Sequence, residues 1–195
     1  MEKKNKKNIG AKLGLYPTPV VVAGTYDEND KPNLATLAWA GICCSDPPCV
    51  QISLRKARHS YAAITSRKVF SVNIPSAKYF VETDYAGIAS GKNADKFDVT
   101  KLTPVRGEKV NAPMVLEFPV SMECRLIHTL ELGVHDIFIG EILACWVDEA
   151  VLDENGVPDI QKIDPFVFAV GMKYYGLGGF IANSHSVGKK LQAGN

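Results

Sequence analysis

The stretch SLRKARHSY (53–61) gathers two arginines, a lysine, a histidine and two serine hydroxyls within nine residues. Nearly all of these side chains donate hydrogen bonds, so the chemistry they share is the holding of an anion. In the preceding VQISLR, hydrophobic alternation predicts a strand with Val50, Ile52 and Leu54 turned to the core. Gln51, Ser53 and Arg55 then project from the opposite face, with successive residues about 7 Å apart, so Ser53 and Arg55 converge on one spot. A helix is predicted to begin near His59 or Ser60. Its first N–H groups lack intrahelical partners, and its dipole favours negative charge there. Arg58, His59 and Ser60 add donors at that end, while Lys56 is read as pointing into water. Guanidinium groups suit phosphate because their planar fork donates two parallel charge-assisted hydrogen bonds. Taken alone, this pattern fits a solvated basic turn as well as a phosphate site.

Other patterns carry less chemistry. GIASGKN (87–93) is one residue short of a phosphate loop and places Asn93 where a metal-reaching hydroxyl is needed. GLGGF (176–180) lacks the third glycine of a dinucleotide fingerprint. Both read as turn and cap glycines. His128 and His135 flank a predicted hairpin turn, with Glu131 between them. Alternation puts His128 with Cys124 and Leu126, and His135 with Ile137 and Ile139, each near the end of an apolar face. That leaves a structural histidine or a ligand contact in preference to a metal site. The five cysteines, Cys43, Cys44, Cys49, Cys124 and Cys145, form no C-x-x-C and read as buried reduced thiols in a cytoplasmic protein.

The elements that must position these residues are mostly strands. PVVVAGTY (19–26), LATLAWAGICCS (34–45), CVQISL (49–54) and VFSVNIP (69–75) are β-rich runs separated by turn residues or, once, by a helix over 60–68. A helix is expected within 77–97, stopped by Gly91 and Asn93. A proline-containing loop (98–119) follows. Two long strands, VSMECRLIHTLEL and HDIFIGEILACWVDE, then turn near Gly133, and FVFAVG (166–171) is a last strand. Short connections imply an antiparallel sheet, and some six strands favour a closed barrel, which removes exposed edges.

A chain of 195 residues, 46% hydrophobic, suffices for one substantial core, and the whole is expected to be a single domain with residues 1–12 a flexible basic tail. The net charge of +1 offers no global field for nucleic acid, and no apolar run reaches the length of a membrane span. MEKKNKK leads into NIGAKLGLYPTP without a hydrophobic stretch, which argues against a secretory signal.

The ordered segments NLATLAWAGICCSDPPCVQISL, RHSY, FSVNIPS, DYAGIASGKNADKF, GVHDIFIGEI and YYGLGG resemble the flavin reductase-like family of FMN-binding split barrels, its flavoredoxin-type branch most of all. The resemblance spans about Pro19 to Gly179. It implies a mainly β fold, a six-stranded antiparallel Greek-key barrel with peripheral helices, that forms a homodimer with FMN near the interface. It places Thr36, Leu37, Ala38 and Trp39 beside the flavin ring and ribityl chain. The phosphate contacts fall on Ser53, Arg55, Arg58, His59 and Ser60, and further cofactor contacts on Leu54, Ser90, Gly91 and Lys96. His135 becomes a nicotinamide-side or flavin-edge contact, and Trp39 and Tyr174 are ring-packing candidates or core aromatics. With the redox chemistry carried by the cofactor, no catalytic side chain is required. The resemblance leaves three functions: an FMN-dependent NAD(P)H oxidoreductase, a flavoredoxin-like carrier serving a protein such as a ferredoxin, and a barrel used only for binding or assembly. The bulk of Trp39 pulls toward a protein that keeps its FMN.

Overall fold

The computed structural model describes residues 5–191 of the chain, so Met1–Lys4 of the expected basic tail lie outside the described residues, while residues 5–15 are exposed. A two-residue β1 (Thr18–Pro19) leads into β2 (Val21–Tyr26), β3 (Pro32–Leu37), β4 (Ala40–Ser45) and β5 (Pro48–Arg55). Helix α1 (His59–Arg67) and β6 (Val69–Ile74) follow, then a 3-10 turn (Ala77–Tyr79) that runs into α2 (Phe80–Ile88). After α3 (Lys96–Thr100) come β7 (Pro104–Arg106) and β8 (Pro113–Val115), the long β9 (Val120–Glu131) and β10 (His135–Val147), α4 (Ile160–Ile163), β11 (Phe166–Ala169) and β12 (Lys173–Gly176).

The principal sheet is antiparallel, ordered β3-β2-β6-β9-β10-β5-β4. Its two edge strands, β3 and β4, are separated in sequence only by Ala38 and Trp39. The run expected as one strand over 34–45 thus changes partner: β3 pairs with β2, and β4 with β5. The Ser53 N–H donates to the Trp39 carbonyl at 2.9 Å, tying this changeover to β5. Counted as one bent strand, β3 and β4 give the six-stranded barrel that was expected; counted apart, they give seven. Smaller sheets, β1-β11-β12 and β7-β8, stand beside it. Neither β12 nor the β7–β8 hairpin was anticipated, the latter lying within the expected proline loop.

Alternation explains the interior. Val21, Ala23, Ala35, Leu37, Val50, Ile52, Leu54, Phe70 and Val72 point into the barrel with Phe138, Cys124 and Ile64 of α1. A second cluster on the other face of β2 and β3 joins Val22 and Leu34 to Ala86, Phe97, Leu102, Val115 and Phe118. Strand β2 is therefore buried on both faces, which is why its sequence is a continuous apolar run. Helix α2 stops at Ile88, before the expected Gly91 stop, because Ala89 turns extended and the chain then turns at Ser90, with Asn93 donating to its carbonyl. Asp95 restarts a helix by accepting from the Asp98 N–H.

Two expectations fail. Cys43, Cys44 and Cys145 are exposed, and only Cys49 and Cys124 are buried. His128 is exposed and out of step with Leu126, because the β9–β10 register shifts between Ile139 and Gly140 and leaves Ile127 as an extra residue.

Candidate functional site

Strand β5 carries its inward residues Val50, Ile52 and Leu54 at no more than 3% exposure, whereas Gln51 and Ser53 are half-buried and Arg55 is exposed on the opposite face. The chain turns as Arg58 N–H donates to the Arg55 carbonyl at 2.9 Å. Helix α1 then starts at His59, with Arg58 as an extended N-cap whose side chain makes no capping bond. Among the described residues neither Arg55 nor Arg58 forms a salt bridge. Two unpaired guanidinium groups therefore border an uncapped helix N-terminus, where fixed dipoles add to their field.

Both arginines overlook a groove made of two connected chambers of about 500 and 510 Å³. Thr36, Leu37, Leu54, Arg55 and Arg58 border both chambers. The first also holds His59, Ser60, Ser90, Gly91 and Lys96. The second holds Ala38, Trp39, Ser53, His135 and Tyr174. Every site residue expected from the sequence thus lies on the wall of one groove, although the residues come from six elements and the loops between them.

Their detailed roles in the wall differ from simple donors. Ser60 is 1% exposed, and its Oγ accepts from Asn33 Nδ2 at 2.8 Å and from Thr25 Oγ1 at 3.2 Å, leaving its own proton to give. His59 Nε2 stands 3.8 Å from Asp27 Oδ2. Gly91 presses so close that a Cβ there would sit 2.2 Å from Asn33 Oδ1 and 2.7 Å from His59 Cδ2, so only glycine brings this loop against α1. The Thr36 hydroxyl donates to the Thr83 carbonyl of α2.

Lys96 is 4% exposed, with Nζ donating to the carbonyls of Leu34 at 2.6 Å and Ala86 at 2.7 Å. Burial, with the charge of Arg58 adding, pushes its ammonium down to about 8 from 10.5. An amine that loses a proton keeps two N–H groups, enough for both carbonyls. Between about pH 8 and 10.5 the folded chain binds fewer protons at Lys96 than the unfolded chain, so this residue makes stability rise with pH in that window. Urea titrations of the ligand-free protein and of Lys96→Met are expected to show that rise in the first and its loss in the second. Identical pH slopes would refute the assignment.

Lys56 is exposed, as expected, and also bonds Glu131 at 2.7 Å and lies 3.5 Å from Asp136. Asp136 is fully buried and accepts from the Tyr61 hydroxyl at 2.6 Å. That hydrogen bond, reinforced by Lys56, outweighs burial and holds the Asp136 carboxyl below its ordinary range. The cluster fastens the Arg55–His59 turn to the start of β10, where His135 is the register partner of Arg55.

The second chamber is aromatic. Trp39 stacks on His135 with centroids 5.9 Å apart and planes 14° apart, and lies 6.2 Å from Phe168. Tyr174 meets Phe166 and Phe168 edge-on, and its hydroxyl donates to Asp84 at 2.8 Å. Burial and this carboxylate push the Tyr174 phenol well up, so it stays protonated. Tyr16, Phe168 and Met172 also line this chamber and were not anticipated. The alternation of Phe166 and Phe168 was a usable signal for Phe168; Tyr16 and Met172 offered none.

The flavin reductase like domain model matches residues 13–174. A flavoredoxin of Desulfovibrio vulgaris (Miyazaki F) is 51% identical, covering 94% of this chain and 100% of that one, with a TM-score of 0.90. A flavoredoxin from Methanosarcina acetivorans is 32% identical over 95% of this chain and 98% of that one, also with a TM-score of 0.90. An uncharacterized protein of Archaeoglobus fulgidus is 31% identical, covering 75% of this chain and 81% of that one. With its split barrel, this chain belongs to the flavin reductase-like domain family, in the flavoredoxin-type branch.

Proposed function

We propose that the groove carries FMN and that the chain, acting over its whole length as one flavin reductase-like domain, is an oxidoreductase that transfers electrons through it. The observation that carries this reading is the pairing of two chambers: one bordered by unpaired arginines and a helix N-terminus, the other walled by aromatic rings. A phosphate at one end and a flat conjugated ring at the other fit that arrangement. The likeness to two flavoredoxins, one at 51% identity, supports it.

Bound FMN would supply hydride and single-electron chemistry. Arg55, Arg58 and the first N–H groups of α1 hold the phosphate, with the Ser60 hydroxyl proton and the remaining N–H of Lys96 behind them. Ser53 and Leu54 lead from that end toward the ring. Thr36, Leu37 and Ala38 run beside the ring and ribityl chain, while Ser90 and Gly91 close the first chamber. Trp39 and Tyr174 shape the second chamber, and His135 sits where a second substrate approaches. The stacked Trp39–His135 pair narrows that approach, which favours a protein donor or acceptor such as a ferredoxin over freely diffusing NAD(P)H.

A homodimer is part of this reading. Ile9, Leu13 and Leu15 near one end of the described residues and Leu177, Phe180 and Ile181 near the other are large, apolar and exposed, and nothing among the described residues covers them. Five free thiols support a cytoplasmic setting. The near-neutral charge gives no reason to add nucleic acid or a membrane as partner, and no helix among the described residues is long and apolar enough to cross one.

The test is a visible spectrum of the purified protein, with FMN added if needed, followed by anaerobic addition of NADH or NADPH. A flavin spectrum that bleaches rapidly marks a nicotinamide oxidoreductase. A stable flavin spectrum that only a reduced redox protein bleaches marks a carrier. Failure to take up FMN overturns the reading and leaves a barrel for binding or assembly.

A further inference from the structure

The turn of the β4–β5 hairpin lies at the far end of β5 from Arg55, and its residues 43–49 are not among those lining the groove. Its register pairs Ser45 with Pro48 and Cys44 with Cys49, and the chain bulges at Cys43 between the Ile42 and Cys44 pairings. Opposite residues of antiparallel strands hold their Cβ atoms about 4.5–5.5 Å apart, at the edge of the spacing a disulfide spans, and the extra local twist of a bulge alters that spacing. The Cys44 thiol is exposed and donates to the Asp46 carbonyl at 3.3 Å. Cys49 is 3% exposed and, as the register partner of Cys44, projects from the same face of the hairpin. One accessible sulfur and one sheltered sulfur thus face each other on an edge hairpin.

We propose that Cys44 and Cys49 are a reversible dithiol–disulfide pair that closes by exchange with a small external disulfide of the glutathione type. The Cys44 thiolate attacks one sulfur of the external disulfide, forming a mixed disulfide and releasing one thiolate. Cys49 then gives up its proton to solvent and attacks the Cys44 sulfur, releasing the second thiolate. Two protein thiols are oxidised by two electrons, and the external disulfide is reduced to two thiols. Burial, with the Cys44 and Cys43 thiols nearby, keeps Cys49 protonated, which makes it the slower, resolving partner. Cys43, displaced by the bulge, takes no part. A bridge on an exposed hairpin belongs to the readily reduced class, and here it would clasp the edge strand β4 to β5. This inference is independent of what the groove binds.

The test uses the full-length protein equilibrated in glutathione buffers from fully reduced to fully oxidised, then alkylated, digested and mapped by mass spectrometry. The wild-type protein is expected to lose two alkylatable thiols, Cys44 and Cys49, and to regain both on reduction. Cys49→Ser should retain glutathione on Cys44, and Cys43→Ser should close the bridge as the wild type does. The proposal is overturned if the wild type keeps Cys44 and Cys49 alkylatable across the whole range. It is equally overturned if Cys43→Ser abolishes the bridge or if the bridge joins a different pair.

Discussion

Alanine at both Arg55 and Arg58 is expected to weaken FMN binding by about 3–5 kcal/mol, a loss of roughly 10²–10⁴ in affinity. Each guanidinium stands to make charge-assisted bonds to the phosphate worth about 1.5–3 kcal/mol, and neither has a carboxylate partner among the described residues. The sum is held below simple addition because the two share one anion. Arg55→Ala alone should cost about 1.5–3 kcal/mol. Arg55→Lys should cost less, keeping the charge but losing the planar fork. The measurement is flavin fluorescence on titration with FMN and, separately, with riboflavin, which lacks the phosphate. The loss should appear for FMN and be nearly absent for riboflavin. An equal loss for both would mean the arginines shape the groove without reading the phosphate.

Glu123→Ala is expected to destabilise the fold by about 3–5 kcal/mol, because it leaves four buried or half-buried N–H donors without their acceptor, each worth about 1–3 kcal/mol when unsatisfied. Glu123 is fully buried on β9. Its carboxylate accepts from the backbone N–H groups of Glu108 at 3.2 Å, Lys109 at 2.7 Å and Val110 at 2.8 Å, and from Trp146 Nε1 at 2.7 Å. One side chain thereby fixes the loop between β7 and β8 to the long β9–β10 pair. Gly107 completes the fit, since a Cβ there would fall 2.4 Å from Glu123 Oε2. Burial alone would raise this carboxyl, but the four donors outweigh it and bring it below its ordinary 4.5. Its stabilising effect is therefore complete above about pH 4.5 and is lost as the pH falls through the lower folded value. Urea unfolding at neutral and acidic pH should show the wild type losing its advantage over Glu123→Ala on acidification. A constant difference between the two would refute this role.

What was legible in the sequence was whatever depends on neighbours along the chain. Val50, Ile52 and Leu54 announce the inner face of β5 by alternation, and His59 marks the helix start because the run changes period there. The partner change at Ala38–Trp39 left no local mark, since LATLAWAGICCS is apolar and β-rich throughout and only the curl of the sheet decides where it switches. Lys56 is solvated as it reads, but its ion pairs left no local mark because Glu131 and Asp136 reach it from 75 and 80 residues away. Nothing beside Glu123 in the sequence marks it as buried, since the loop that covers it arrives from tertiary structure. The residues that line the groove were picked out by the order the family resemblance preserves, while local pattern alone left the basic stretch undecided between turn and anion site.

The changeover at Ala38–Trp39 joins two jobs in one dipeptide. It is the seam at which the sheet meets itself, and its residues also line the second chamber. Unzipping the barrel there would dismantle the chamber in the same motion, so the pocket has no existence apart from the closed cylinder. A molecule lodged against the seam would work as a rivet, and its departure would leave the barrel easiest to open at that very joint.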